Sequence, residues 1–144
     1  MKVALIQARG NDRRDYGSPP GFRCMKQMTE SEIPGAEVEI FSDYRLLIQY
    51  QPDIVGIGAV TPVFDSAKYL ADIFKKELNA HILLGGYHIT FLPTEIKSAP
   101  FDIGILGEGE QIFLDLLRLY HEHGAFTAYL LRKIPGLVFC PEAE

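Results

Sequence analysis

The side chains with chemical potential are few and scattered along the chain. His81, His88, His121 and His123 show no metal-ligand spacing. His121 and His123 lie two apart on an expected helix and so point in different directions. His81 opens an expected strand, where a structural role is the simpler reading. His88 follows a glycine pair, where a loop histidine bonding backbone is favoured over a metal ligand. Glu108 and Glu110 flank an expected helix N-terminus, where negative charge is favourable, so capping explains them better than acid–base work. Cys24 and Cys140 are far apart. That excludes a zinc ribbon, a CxxC redox pair and a cysteine-ligated iron–sulfur cluster built by this chain alone. No Walker A sequence is present, and no Gly-x-Gly-x-x-Gly follows the first apolar run. Gly107-Glu108-Gly109-Glu110 cannot replace that fingerprint, because two carboxylates would face a pyrophosphate. The serines lack the nucleophile-elbow context. These residues assemble no catalytic site and no metal site.

What remains is a pattern of glycines at the ends of apolar runs. Ile82-Leu83-Leu84 stops at Gly85-Gly86-Tyr87-His88. Ile54-Val55-Gly56-Ile57-Gly58-Ala59-Val60 runs into Thr61-Pro62. Ile103-Gly104-Ile105-Leu106 runs into Gly107-Glu108-Gly109-Glu110. A residue without Cβ lets the backbone turn sharply or lets a ligand lie against it. Three buried strands ending this way make one rim of an open α/β sheet. Ligands bind at that rim, outside the carboxyl ends of the strands.

The elements that must position this rim are legible in order. Residues 2–7 read as a first strand, and residues 8–21 as a long polar loop, a length that is uncommon and often functional. Residues 22–30 read as a short helix, with Phe22, Met25 and Met28 at core spacing. Residues 36–41 alternate apolar and charged, as an edge-side strand does. Asp43 is placed to cap a short helix over 44–50. The near-continuous apolar run 53–60 suits a strand covered on both faces. Residues 64–78 form an amphipathic helix with Phe64, Ala67, Leu70, Ala71, Phe74 and Leu78 on one stripe. A strand over 81–84, one or two helical turns over 93–99 and a strand over 103–106 follow. A helix over 110–123 ends at Gly124, and residues 137–139 offer an extra C-terminal edge strand. Strands alternating with helices at this spacing imply a parallel sheet. The expected fold is α/β: a flavodoxin-like, Rossmann-like, doubly wound five-stranded sheet of order 2-1-3-4-5.

Composition narrows the function. The 144 residues suit one domain, and 47% hydrophobic content fits a globular core. A net charge of −5 disfavours nucleic acid, which needs a basic face. Arg9, Arg13 and Arg14 read as a solvated loop cluster. No apolar run approaches the roughly 20 residues needed to span a bilayer. The N-terminus lacks the features of a signal peptide. A cytoplasmic protein without a membrane or nucleic-acid partner is expected.

The motifs together resemble one family. Val55 to Thr61, Leu84-Gly85-Gly86-Tyr87-His88-Ile89-Thr90-Phe91-Leu92-Pro93, Gly107-Glu108-Gly109-Glu110 and Ile134-Pro135-Gly136-Leu137-Val138-Phe139 are similar, in this order and spacing, to the N-terminal cobalamin (B12)-binding domain of B12-dependent radical S-adenosylmethionine (SAM) proteins. Pro19-Pro20-Gly21 resembles the proline-rich loop after that family's first strand. The family includes methyltransferases and the anaerobic magnesium-protoporphyrin ester cyclase. The resemblance implies that the dimethylbenzimidazole nucleotide tail lies buried beside the sheet and the corrin sits on the C-terminal rim. Thr61 should then meet the tail, Gly85 and Gly86 should let it pass, and Gly107, Glu108 and Gly109 should border the same cleft. Tyr87 and His88 join this cofactor-binding set.

Two departures accompany the resemblance. The family often has serine at the position of Gly58. The Cys-x-x-x-Cys-x-x-Cys of its radical SAM domain, which holds the iron–sulfur cluster and S-adenosylmethionine, is absent. The resemblance therefore implies a cobalamin-binding domain at residues 1–140, with residues 141–144 a frayed tail or the start of a linker to a partner domain. A chain of this kind is a fragment of a longer enzyme or a free-standing carrier, and by itself catalyses nothing. With no histidine in the 8–21 loop, bound cobalamin should be base-off and His-off. Competing readings are a degenerate flavodoxin-like module for structure or dimerisation, and an FMN protein. The latter needs a Ser/Thr-rich phosphate loop after the first strand, where only Ser18 stands.

Overall fold

The computed structural model describes residues 1–9 and 19–140. Most of the expected 8–21 loop and the expected tail at 141–144 lie outside the described residues. Six strands form one sheet: β1 (Lys2–Gln7), β2 (Glu37–Phe41), β3 (Ile54–Gly58), β4 (His81–Gly85), β5 (Ile103–Ile105) and β6 (Leu137–Phe139). Their order is β2-β1-β3-β4-β5-β6, with the first five parallel and β6 antiparallel to β5. The expected order 2-1-3-4-5 and the extra edge strand are both observed. Successive strands are added in one direction from β1 to β2 and in the other from β3 onward, so the winding reverses between β1 and β3. A crevice opens beyond the strand ends at such a switch point.

Helices cover both faces. On one face, α3 (Phe64–Glu77) buries Phe64, Ala67, Leu70, Ala71 and Phe74 against Ala4, Ile6, Val55, Ile57, Ile82 and Leu84. On the other, α1 (Pro20–Glu32) and α5 (Glu110–His123) pack on Val3, Leu5, Ile54, Leu83, Ile103 and Ile105. Phe113, Leu114, Leu116 and Leu117 of α5 are buried. Each such side chain stabilises by about 1.5–3 kcal/mol on burial, an upper bound. That stripe fixes α5 and one wall of the site. Gly124 closes the helix in the left-handed conformation, donating its N–H to Tyr120 O.

Local signals explain most boundaries. Asp43 caps α2 (Tyr44–Tyr50), its carboxylate accepting from Arg45 N at 2.9 Å. The first helix starts at Pro20 and is longer than its apolar spacing indicates, since proline suits the first helical turn. Two short helices carry too few residues for a periodic signal: α4 (Tyr87–Phe91) and α6 (Ala128–Leu131). Thr127 caps the latter. β3 stops at Gly58, two residues before the expected end, and Thr61–Val63 turns as a 3-10 helix into α3. Among the described residues, no helix is long and apolar enough to cross a membrane.

Candidate functional site

Strand register builds the site. Leu5, Gly56, Leu83 and Ile103 stand side by side across four strands. Two residues nearer the C-terminal edge, Gln7, Gly58 and Gly85 form the next row on the same face. A Cβ on Gly56 would stand 2.7 Å from Leu5 Cδ2 and 3.7 Å from Phe113 Cε2. A Cβ on Gly58 would meet the Gln7 amide and lie 3.3 Å from Phe22 Cζ. This face therefore looks toward α1 and α5. Gly85, in register with Gly58, presents the same face, but a Cβ there would meet nothing within 4 Å among the described residues. Missing side chains on two adjacent strands notch the edge of the sheet.

The notch opens into a cleft of about 500 Å³, within the usual range for small-molecule sites. Phe22 and Met25 of α1 and Phe113 of α5 form its apolar wall. Tyr87, Thr90 and Phe91 of α4 form one lip, and Gly107, Glu108, Gly109 and Glu110 form the other. Tyr87 and Phe91, one helical turn apart, stack at 6.4 Å and are 69% and 76% exposed. They present an apolar surface at the mouth.

Two glycines of the lips hold special backbone. Gly86 has φ +107°, and a Cβ on it would run into the Ala59 carbonyl oxygen. Its role is thus conformational: it lets α4 start hard against the end of β3, with Ala59 N donating to Gly85 O at 3.0 Å. Gly107 has φ +76°, but the described residues leave open space where a Cβ would stand. The Thr90 hydroxyl joins the lips, donating to Gly86 O at 2.8 Å and accepting from Gly107 N at 3.0 Å.

Six of the expected residues, Gly85, Gly86, Tyr87, Gly107, Glu108 and Gly109, come together around this one cleft. Thr61 and His88 are not among its lining residues. They pair with each other in the opposite layer, with Thr61 Oγ1 3.0 Å from His88 Nδ1. The His88 ring is buried and stacks on Phe64 at 3.8 Å. Its Nε2 is buried without a hydrogen-bond partner among the described residues. Helical geometry separates the neighbours: His88 and Ile89 turn into the α3-side core while Tyr87, Thr90 and Phe91 face the cleft. Residues passed over in the sequence include Gly56, Gln7, Phe22 and Thr90. The two-residue spacing of Gly56 and Gly58 was the available signal, since alternate strand residues share a face.

The remaining perturbed groups lie elsewhere. His81 opens β4 at the end of the sheet away from the cleft, between the edges of Tyr120 and Phe126. Burial pushes its imidazole pKa down. Burial also raises the Tyr50 phenol to about 12, helped by nearby carboxylates such as Glu37. Among the described residues, no cluster of His, Cys, Asp and Glu could hold a metal ion.

Comparison with known proteins places the chain. The family model for the B12 binding domain matches residues 13–117. The chain belongs to the B12-binding domain family. Over 82 residues, this B12-binding domain is 43% identical to the anaerobic magnesium-protoporphyrin IX monomethyl ester cyclase of Rubrivivax gelatinosus. That alignment takes in 54% of this chain and 14% of the cyclase. It is 36% identical over 111 residues to an uncharacterized methyltransferase of Pyrococcus horikoshii, aligning 70% of this chain with 24% of that protein. The chain thus spans a quarter or less of these relatives. Its fold matches the cobalamin-dependent S-adenosylmethionine radical enzyme OxsB, solved with aqua-cobalamin bound, at a TM-score of 0.75 and 18% identity. The match covers 99% of this chain and 21% of OxsB. The flavodoxin-like architecture expected from the sequence is the one found.

Proposed function

We propose that the glycine-notched cleft takes the nucleotide tail of cobalamin and that the corrin ring rests over the lips formed by Tyr87, Phe91 and Gly107–Glu110. The observation that carries this reading is the space that the described residues leave open at Gly85 and Gly107, inside an apolar cleft of about 500 Å³. A flat base and its sugar fit against backbone there, where any side chain would stand in the way. Phe22, Met25 and Phe113 supply apolar contact, while Gln7 and Thr90 bring polar groups to the cleft. Glu108 and Glu110 accept hydrogen bonds, which suits the amide-rich rim of a corrin better than a free phosphate. The residues present therefore fit the group.

Bound cobalamin supplies alkyl-transfer chemistry at its cobalt. The chain's own residues bind it, orient it and shield its tail from water. None of the four histidines, all among the described residues, lines the cleft. The cleft would therefore offer the cobalt no imidazole, the His-off condition, and residues that hold the tail in the cleft would keep its base off the metal, the base-off condition. The homology to methyltransferase and cyclase sequences supports a place beside a radical SAM domain that carries the iron–sulfur cluster and S-adenosylmethionine. Thr61 and His88 then act behind the sheet edge, bracing the turn from β3 into α3, and touch the tail only if that turn rearranges.

Calorimetric titration of the chain with hydroxocobalamin, without iron or S-adenosylmethionine, tests the reading. Saturable one-to-one binding is expected. No binding at ~1 mM, a floor near −4 kcal/mol, would overturn it in favour of a structural module.

A further inference from the structure

We infer that Thr90 is the positioning residue that locks the two lips of the cleft together, and that its hydroxyl sets the affinity for the cofactor. The consequence for affinity rests on the cobalamin reading; the lock itself does not. β4 and β5 are paired at Leu83–Ile103 and Leu84–Gly104, the last pairs of their ladder. Beyond them the chain forms two separate turns, Gly85–Gly86 and Gly107–Gly109. Among the described residues, a Cβ on Gly85 or Gly107 would meet nothing within 4 Å, so their packing leaves these two positions unsupported on the side where a Cβ would stand.

The Thr90 hydroxyl spans that gap. It has one proton and two lone pairs. The proton goes to Gly86 O at 2.8 Å, and a lone pair accepts the Gly107 N–H at 3.0 Å. The Thr90 backbone N–H also donates to Gly86 O, at 3.3 Å. Bonding back to residue i−4 is ordinary for a helical threonine. Bonding onward to a second turn, seventeen residues away, is what makes it a bridge. The bridge has two effects. It holds the left-handed Gly107 turn at a set distance from Gly86, which fixes the width of the cleft mouth. It also occupies the Gly107 N–H, leaving Glu108, Gly109 and Glu110 as the part of that lip that faces a ligand. Without the hydroxyl, cobalamin must order the lip on binding, and affinity falls by the cost of that ordering.

Thr90→Val keeps the shape and removes both bonds; Thr90→Ser keeps both bonds. In the ligand-free chain, Thr90→Val should speed hydrogen exchange at the Gly107 amide by about tenfold or more, the size of a lost hydrogen bond. Exchange at core amides of β3 should stay unchanged and serve as the control for folding. Thr90→Ser should match the parent. Hydroxocobalamin should bind Thr90→Val about tenfold more weakly and Thr90→Ser as the parent does. Unchanged Gly107 exchange in Thr90→Val would overturn the bridge. Faster exchange with parental affinity would overturn the positioning role. A parent chain that binds no cobalamin would refute the B12 reading and the effect on affinity together, while the exchange measurement still decides the bridge. If Thr90→Val does not fold, Thr90→Ala carries the same comparison.

Discussion

Replacing Gly85 with valine separates two reasons for a glycine pair. Gly85 lies outside the positive-φ glycines, and a Cβ there meets nothing within 4 Å among the described residues. The fold has room for a side chain at Gly85 and gains from a less flexible unfolded chain. Stability should hold or rise by up to about 1 kcal/mol. The added isopropyl group enters the cleft from the face shared with Gly58. Overfilling a packed site costs about 1–3 kcal/mol, which is about 5- to 150-fold in Kd. Gly86→Val does the reverse. At φ +107°, with the Ala59 carbonyl in the way, a branched residue should cost about 1–3 kcal/mol in backbone strain alone, and more once the clash is relieved. Urea denaturation reports the stability of both variants, and hydroxocobalamin calorimetry reports binding. Gly85→Val that folds as the parent does and binds equally tightly would refute passage of the ligand over Gly85. Gly85→Val that is destabilised as much as Gly86→Val would refute the division of roles.

Three further outcomes are expected. Cob(II)alamin bound to this chain should show no axial-nitrogen superhyperfine splitting in its electron paramagnetic resonance spectrum, because none of the histidines lines the cleft and a tail held there keeps its own benzimidazole nitrogen off the cobalt; a nitrogen triplet that disappears in His88→Ala would sink the His-off reading, and one that persists would sink the base-off reading. Gly56→Ala should cost less than the about 1–3 kcal/mol of overpacking a closed core, since its methyl would meet Leu5 Cδ2 at 2.7 Å, the end of a flexible side chain that itself borders the cleft; a denaturant midpoint lowered by that full amount would show that Leu5 does not yield. His81 is held neutral by burial, with its folded pKa below 6.5. Between that folded value and 6.5 the unfolded chain binds more protons, so stability should fall as pH drops below about 6.5. His81→Phe should flatten this limb, and an unchanged pH profile would show that the imidazole does not titrate in folding.

Much of the architecture was legible because it rests on local patterns. Apolar runs ending in glycine marked three of the parallel strands, and the stripe of Phe64–Leu78 marked a helix. Asp43 and Gly124 acted as the cap and the stop that their types suggest. Short elements escaped, because five residues of α4 and four of α6 cannot display a period. The glycines were recognised as a rim, yet their jobs were not separable. Gly85 and Gly86 are neighbours of one type; only the neighbouring strand shows that the second is pinned against Ala59 and the first is open.

The sequence by itself determined an α/β sheet whose strands end in glycine. Periodicity, residue type and spacing are properties of the chain alone. The tertiary structure decided which rim residues share a space. Thr61 and His88 stand beside cleft residues in sequence but belong to the other layer, because a short helix turns His88 away from Tyr87 and Thr90. Thr90 meets Gly107 because two strands diverge at their ends and one hydroxyl reaches across. Such a bond depends on where two turns come to rest, and no pattern within either turn encodes it.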